Sequence, residues 1–187
     1  MLSKLRPGIR GWLEAAARPL VRLGFSPNHL TVLGLLLSLA AAYAFYRGDQ
    51  RVAALLLAIG AFFDALDGSL ARLTGRVTRF GGFLDSTLDR LSDAAILFGI
   101  ALGGLVEWPI AFLALIGSYM VSYARCRAEL AGSGTLAVGI AERGERLIII
   151  TIAALVGRVW LGVYLVVILA WITFFQRVWV ARRLLRG

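Results

Sequence analysis

Cysteine, histidine and charged residues are all scarce in this sequence. Cys126 is the single cysteine among 187 residues, which excludes an intramolecular disulfide and a zinc site built from several cysteines. Charged residues make up only 17% of the chain, whereas hydrophobic residues make up 59%. Such a composition argues against a soluble domain and indicates an all-α integral membrane protein.

Long apolar segments account for most of the chain. A helix that crosses the hydrocarbon core needs about 20 residues, each of which adds ~1.5 Å. Six segments can be drawn, at 30–47, 51–73, 81–106, 108–130, 143–157 and 160–180. The fifth is short unless its helix begins near Glu142, so five spans are the alternative. We predict one membrane domain over residues 1–187, with six transmembrane helices bundled over 30–184 and a juxtamembrane segment over 1–25.

The N-terminal segment combines an apolar face with a charged one. Its apolar side chains recur at helical spacing, and its charged side chains lie four residues apart on another face: Ile9, Trp12, Leu13, Ala16, Leu20 and Leu23 against Arg10, Glu14, Arg18 and Arg22. This pattern predicts an amphipathic interfacial helix on the membrane surface. The alternative is a basic flank that only sets topology. Pro19 is expected to kink or end the helix, and no cleavable signal peptide is expected before the first span.

The net charge of +9 comes from arginines placed for membrane topology. They cluster before the first span, between the second and third, between the fourth and fifth, and at the end of the chain, where the last group begins with Arg177. The opposite connections carry only Arg47, Arg51 and Arg158. The positive-inside rule therefore places both termini in the cytoplasm, in a multi-pass protein of the cell membrane. Nucleic acid is not an expected partner, because no separate basic face remains.

Four aspartates lie within two of the apolar segments. Asp64 and Asp67 are three residues apart, and Asp85 and Asp89 are four apart, so each pair shares one helix face. Both pairs fall near the cytoplasmic side, where the second span ends and the third begins. Carboxylates inside a membrane are costly and usually serve a function. Carboxylate oxygens suit Mg²⁺ or Mn²⁺, and four of them can hold two ions about 4 Å apart.

Two alternatives to a metal site exist for these aspartates. The first is interhelical ion pairing with Arg72 and Arg90. Two arginines would leave some of the four carboxylates without a cation, and such pairing does not explain the spacing of the aspartates. The second is an ion transporter, which should show paired broken helices or an internal repeat, and no repeat is visible. Asp93 lies one turn beyond Asp89, where it either supports the metal ligands or pairs with an arginine such as Arg90.

The segment from Asp64 to Asp89 resembles the signature of the CDP-alcohol phosphatidyltransferase family. The matching pattern is Asp64-x2-Asp67-Gly68-x2-Ala71-Arg72-x8-Gly81-x3-Asp85-x3-Asp89. The resemblance implies an enzyme that transfers a phosphatidyl group from a CDP-linked lipid to the hydroxyl of a small alcohol and releases CMP. It also implies two divalent cations and a homodimer, for which close packing at small residues is a weak sequence hint: Gly99, Gly103 and Gly104.

The resemblance also implies roles for individual residues. Asp89 would be both a metal ligand and the base that deprotonates the acceptor, and the other metal ligands would be Asp64, Asp67 and Asp85. Contacts to the CDP-lipid would come from two stretches: Gly68, Ala71, Arg72 and Thr78 on one side, and His29, Leu30, Thr31 and Val32 on the other. A plainer explanation exists for the second stretch, because Ser26 and Pro27 are a helix N-cap and a first helical position.

The acceptor alcohol is expected to carry a phosphate. The stretches 122–129 and 139–146 resemble the branch of the family that uses inositol phosphate, with either a diacylglycerol or an archaeol lipid. Candidate contacts to the acceptor phosphate are Arg125, Arg143 and Arg146, the last two being three residues apart at the start of a helix. Topology alone would also place arginines there. Glycerol 3-phosphate and serine therefore remain alternative acceptors.

Overall fold

The fold is all-α, as predicted. The computed structural model describes the backbone of residues 6–186 and the side chains of residues 11–186. Within that part of the chain the helices are α1 (Arg6–Arg22), α2 (Pro27–Tyr46), α3 (Gln50–Leu73), α4 (Arg79–Leu102), α5 (Trp108–Leu130), α6 (Arg143–Leu155) and α7 (Val159–Leu184). The predicted domain limits at residues 1 and 187, and the predicted side-chain faces at Ile9 and Arg10, lie outside what the structure describes.

Helices α2 to α7 correspond one for one to the six apolar segments. Local capping explains two of their starts. Ser26 Oγ accepts a hydrogen bond from the His29 N–H, with Pro27 as the first helical residue, which confirms the predicted N-cap. Thr78 Oγ1 accepts from the Gly81 N–H at 2.9 Å and begins α4 in the same way.

Four of the described helices are long and apolar enough to cross a membrane: α2, α3, α5 and α7. Helix α4 has 24 residues but carries several charged side chains, among them Asp85, Asp89 and Asp93. Helix α6 has only 13 residues, about 20 Å at the usual helical rise. Several apolar helices of this length are expected of a multi-pass membrane protein. By length and composition, four of the described helices qualify as membrane spans.

Helix α2 packs against both α3 and α4, while α5 and α6 pack on α7. The contact between α2 and α4 depends on two glycines. A Cβ on Gly99 would overlap the backbone of Ala42, and one on Gly103 would overlap the backbone of Phe45. Two of the small residues suspected of close packing therefore serve a contact inside the chain. The third, Gly104, has a φ of +68° and begins the turn after α4.

Alanine at Gly99 is expected to destabilise the protein by about 1–3 kcal/mol, because the backbone of α2 cannot move away as a flexible side chain could. Gly82 is the matched control, since it lies in the same helix and a Cβ added there would have no other atom within 4 Å. Alanine at Gly82 should be neutral or stabilising by about 0.5–1 kcal/mol. Thermal unfolding in detergent measures both changes, and equal stability of the two variants would contradict this account of the packing.

Helix α1 lies against α3 and the start of α2. Leu13, Ala17 and Leu20 contact a small buried cluster made by Leu30, Leu66 and Leu70. The helix continues through Pro19 to Arg22, so the expectation that it could end at Pro19 is wrong. Trp12 of this helix is 82% exposed, and Leu23, just after its end, is 72% exposed.

Candidate active site

Three carboxylates meet where α3 ends and α4 begins. The two helices are joined by the short segment 74–78, which reverses the chain and brings the last turns of α3 near the first turns of α4. Asp64, Asp67 and Asp85 each offer an oxygen within 4.8 Å of the other two. An all-oxygen set of this kind fits Mg²⁺ or Mn²⁺ better than zinc or copper. The predicted convergence of the two aspartate pairs is therefore observed for three of the four residues.

A threonine of α2 holds one of these carboxylates. Thr31 Oγ1 donates to Asp67 Oδ2 at 2.9 Å, and both residues are buried. The carbonyl of Pro27, at 3.2 Å, is the other acceptor within reach of the same hydroxyl. A hydrogen bond of this type fixes the orientation of a metal-binding carboxylate. The hydroxyl of Thr31 is thus directed at Asp67, and its predicted contact with the CDP-lipid stays a prediction.

Valine in place of Thr31 is expected to weaken Mn²⁺ binding by about 10–100-fold, because the isosteric side chain cannot hold the Asp67 carboxylate. Serine keeps the hydroxyl and should restore most of the affinity. Titration of the purified variants with Mn²⁺, followed by the signal of the free ion in electron paramagnetic resonance, measures the change. Unaltered Mn²⁺ binding, with a raised KM for the CDP-lipid alone, would instead favour a direct lipid contact.

The fourth aspartate of the motif is held by an arginine. Arg143, at the start of α6, places Nη1 at 2.8 Å from Asp89 and 3.0 Å from Asp64. Asp89 is not part of the three-carboxylate group, although it lies one turn after Asp85 on the same helix. The cation of these interhelical ion pairs is thus supplied by α6, through Arg143. Among the ion pairs described, Asp89 also lies 3.8 Å from its neighbour Arg90, and none involves Arg72.

Asp93 connects the same helix to α6 one turn deeper. Its carboxylate accepts from Arg143 Nε at 3.3 Å and from Arg146 Nη2 at 3.1 Å. The predicted pairing of Asp93 with an arginine is therefore observed, although its partners are Arg143 and Arg146 and not the suggested Arg90. Arg90 instead donates to the carbonyl of Ser86.

The residues predicted to contact the CDP-lipid lie around the same end of the bundle. Arg72 is exposed and donates to Ser69 Oγ at 3.0 Å, with Gly68 beside its guanidinium. Asn28 Oδ1 lies 3.5 Å from where a Cβ on Gly81 would be, so the starts of α2 and α4 adjoin. The start of α2, the end of α3 and the start of α4 thus form one rim beside the carboxylates.

The predicted stretch at the start of α2 divides into different environments. Leu30 is fully buried in the cluster beneath α1, whereas Val32 is 42% exposed. His29 Nδ1 accepts from the Ser26 N–H at 3.4 Å, so this side chain takes part in the helix cap. Of the four predicted residues, only Thr31 reaches the carboxylates by a hydrogen bond.

A second group of arginines surrounds Glu142. Arg125 lies 4.0 Å from the Glu142 carboxylate and 2.9 Å from Glu129, and Arg177 lies 3.4 Å from Glu142. Arg177 is 2% exposed and also donates to the carbonyls of Val121 and Val138, each at 2.7 Å.

Sequence reasoning counted Arg177 only as a topology signal. Its position within an otherwise apolar stretch of the last helix was the available signal, because a charge at such depth usually has a partner or a function. In the structure, its hydrogen bonds connect α7 to α5 and to the segment that precedes α6. Helix α6 is the one that carries Arg143 and Arg146.

Comparison with known proteins agrees with this site. The sequence pattern of CDP-alcohol phosphatidyltransferases matches residues 25–181. An archaetidylinositol phosphate synthase of Pyrococcus horikoshii is 66% identical over 183 residues, covering 98% of this chain and 97% of that protein.

Two crystal structures of Mycobacterium tuberculosis phosphatidylinositol phosphate synthase superpose on the chain with TM-scores of 0.80 at 32% identity. One contains bound CDP-DAG and covers 90% of this chain and 92% of its own. The other contains manganese and citrate and covers 91% and 88%. The match covers most of this chain and nearly all of the relatives, and it therefore excludes the ion-transporter alternative. The chain belongs to the CDP-alcohol phosphatidyltransferase family.

Proposed function

We propose that this enzyme transfers a phosphatidyl or archaetidyl group from a CDP-linked lipid to a hydroxyl of inositol 1-phosphate, releasing CMP. The observation that carries the proposal is the carboxylate group of Asp64, Asp67 and Asp85, with Asp89 beside it and arginines next to it. The near full-length similarity to an archaetidylinositol phosphate synthase supports the acceptor and favours an archaeol lipid. The manganese-containing relative supports a divalent cation.

Two divalent cations would be held by Asp64, Asp67, Asp85 and Asp89. When bound, they would cancel negative charge on the diphosphate of the CDP-lipid and on the departing CMP. The oxygen-only donor set fits this role. Two of the residues come from the last turns of α3 and two from the first turns of α4, so both helices must keep their positions for the set to form.

The chain's own part in the chemistry centres on Asp89. Its carboxylate takes the proton of the acceptor hydroxyl, since an alcohol is a poor nucleophile until it loses that proton. The acceptor oxygen then forms a bond to the phosphorus that carries the lipid, and the bond from that phosphorus to the CMP oxygen breaks. Asp89 suits this role because it adjoins the three-carboxylate group without belonging to it.

The CDP-lipid would be bound by the rim formed at the ends of α2, α3 and α4. The residues we assign to it are Gly68, Ala71, Arg72 and Thr78, together with the start of α2 from His29 to Val32. Arg72 supports this assignment best, because it is exposed at the rim and is held only by Ser69 among the contacts described. An exposed guanidinium beside a glycine can approach a phosphate closely.

The acceptor phosphate would be bound by cations from α5, α6 and α7. Arg125 and Arg146 are two of the predicted residues. Arg177 joins them because Arg125 and Arg177 both lie near the Glu142 carboxylate, and Arg146 donates to the carbonyl of the neighbouring Ala141. Arg143 stays a candidate, although its described donors go to aspartates. Several cations from three helices near the start of α6 fit an acceptor that already carries a phosphate.

We infer a single membrane domain over 1–187 in which α2 to α7 form six spans and α1 lies on the cytoplasmic surface of the cell membrane. The exposed Trp12 and Leu23 support the surface role of α1, because they would enter the lipid interface. The arginine distribution supports cytoplasmic termini and a cytoplasmic site. The homodimer expected for the family belongs to the same proposal.

The test is CMP release by the purified protein with Mg²⁺ or Mn²⁺. CDP-archaeol and CDP-diacylglycerol are supplied as lipid, and inositol 1-phosphate, glycerol 3-phosphate and serine are offered separately. Metal-dependent release with inositol 1-phosphate alone is the expected result. Release with glycerol 3-phosphate or serine instead would keep the reaction and contradict the acceptor.

A further inference from the structure

Arg143 contacts the aspartates in a way that a phosphate-binding residue would not require. Its guanidinium lies 2.8 Å from Asp89, 3.0 Å from Asp64 and 3.3 Å from Asp93. The side chain is 20% exposed, and the carboxylates of Asp89 and Asp93 are 16% and 11% exposed. One cation is therefore shared by three carboxylates in a mostly buried place.

Two of these carboxylates are ligands in the proposed metal centre. Arg143 Nη1 bridges Asp64 and Asp89, one from α3 and the other from α4. A divalent cation between the same helices needs oxygens of the same residues. Because a carboxylate oxygen that accepts a hydrogen bond from a guanidinium is less available to a metal ion, Arg143 and a divalent ion compete for these oxygens.

We propose that Arg143 is a built-in cation that competes with a divalent ion for Asp64 and Asp89. The proposal rests on the proposed function only in assigning metal binding to these aspartates. Arg143 stabilises the carboxylates when no ion is bound, and it must release Asp64 and Asp89 as the full metal centre forms. Asp67 and Asp85, which lie outside its ion pairs among the described residues, are the ligands free to receive an ion first.

Asp93 gives Arg143 a contact that can remain when the arginine releases Asp64 and Asp89. It accepts from Arg143 Nε, a different nitrogen from the Nη1 that forms the bridge, and it accepts from Arg146 as well. Asp93 is not in the metal-binding group. The side chain of Arg143 can therefore give up the bridge while it stays anchored at Asp93, without movement of α6.

Because Arg143 competes with the ion, its removal is expected to strengthen Mn²⁺ binding. Arg143→Gln should lower the half-saturating Mn²⁺ concentration by about five- to tenfold without any substrate present, because an opposing positive charge is removed. A residue that only contacts the acceptor phosphate would leave Mn²⁺ binding unchanged. The readout is free Mn²⁺ by electron paramagnetic resonance during titration of the full-length protein, with Asp67→Asn to show that the signal comes from this site.

Arg146→Gln is the matched control. It removes the same charge one turn further along α6, but Arg146 contacts Asp93 and the carbonyl of Ala141 instead of Asp64 or Asp89. Its half-saturating Mn²⁺ concentration should stay within about twofold of wild type, since Arg146 contacts neither Asp64 nor Asp89 and so does not occupy the oxygens of these ligands. An equal gain in both variants would overturn the proposal in favour of a general charge effect.

A second readout and a second variant guard against loss of folding. Mn²⁺ should raise the Tm of Arg143→Gln more than that of wild type, because the ion replaces the missing cation without displacing one. Should this variant not fold, Arg143→Lys keeps the charge but has a single nitrogen, which cannot occupy the positions of both Nη1 at the bridge and Nε at Asp93. Tighter Mn²⁺ binding by the lysine variant than by wild type supports the competition, and equal or weaker binding overturns it. CMP release plays no part in these measurements, so the result stands apart from the acceptor assignment.

Discussion

Asparagine in place of Asp89 is expected to lower metal-dependent CMP release by about 10²–10⁴-fold, the usual contribution of a general base. The amide has nearly the shape of the carboxylate but cannot accept the proton of the acceptor hydroxyl. Asp64, Asp67 and Asp85 form a group without Asp89, so the asparagine variant should still bind one Mn²⁺ ion there, although the second ion would lose a ligand. The expected result is therefore a protein that folds and binds Mn²⁺ but scarcely turns over.

Rates measured at saturating CDP-lipid and acceptor separate this effect from weaker substrate binding, because removal of a base lowers kcat. Mn²⁺ titration and the Tm of the same preparation test the site and the fold. An asparagine variant with more than a tenth of the wild-type kcat would remove Asp89 from the role of base. Loss of Mn²⁺ binding together with turnover would assign it to metal binding alone.

Asparagine in place of Asp67 is expected to abolish CMP release at Mn²⁺ concentrations that saturate the wild type. Asp67 is the most buried of the three clustered carboxylates and the one fixed by Thr31. Loss of a residue that only supports a ligand typically costs 10–100-fold in metal affinity, so loss of a ligand should cost at least about 100-fold. Treatment of wild type with a chelator should have the same effect, and added Mn²⁺ should reverse it.

Asp49 provides the control for this substitution. It precedes α3 at the opposite end from the site, is exposed, and makes no side-chain capping hydrogen bond. Asp49→Asn changes the net charge by the same amount and should leave both Mn²⁺ binding and CMP release as in wild type. Full activity of Asp67→Asn at the wild-type Mn²⁺ requirement would contradict the metal assignment.

Much of the fold followed from local patterns. The six apolar segments became α2 to α7, because length and hydrophobicity act within each segment and depend little on its neighbours. Ser26 and Pro27 started α2 for an equally local reason, since a cap involves residues three apart. Pro19 was different: α1 continues to Arg22 while its buried face packs on Leu66 and Leu70, a contact with another helix.

The carboxylate group was also predictable from spacing. Residues three or four apart share a helix face, and a short loop between two helices returns the second beside the end of the first. Those two facts together are sufficient to bring Asp64, Asp67 and Asp85 into one group. The roles of Gly99 and Gly103 were not predictable in the same way, because whether a small residue faces another chain or α2 depends on which helices meet.

The sequence by itself determined the membrane class, the helices and the positions of the clustered aspartates, because each of these depends on residues close together in the chain. Only the tertiary structure decided the partner of each charge. Arg143 meets Asp64 and Asp93 across 79 and 50 residues, and Arg177 meets Val121 across 56. Such pairs form when particular faces of distant helices are packed together, and residue spacing along one helix contains no information about that packing.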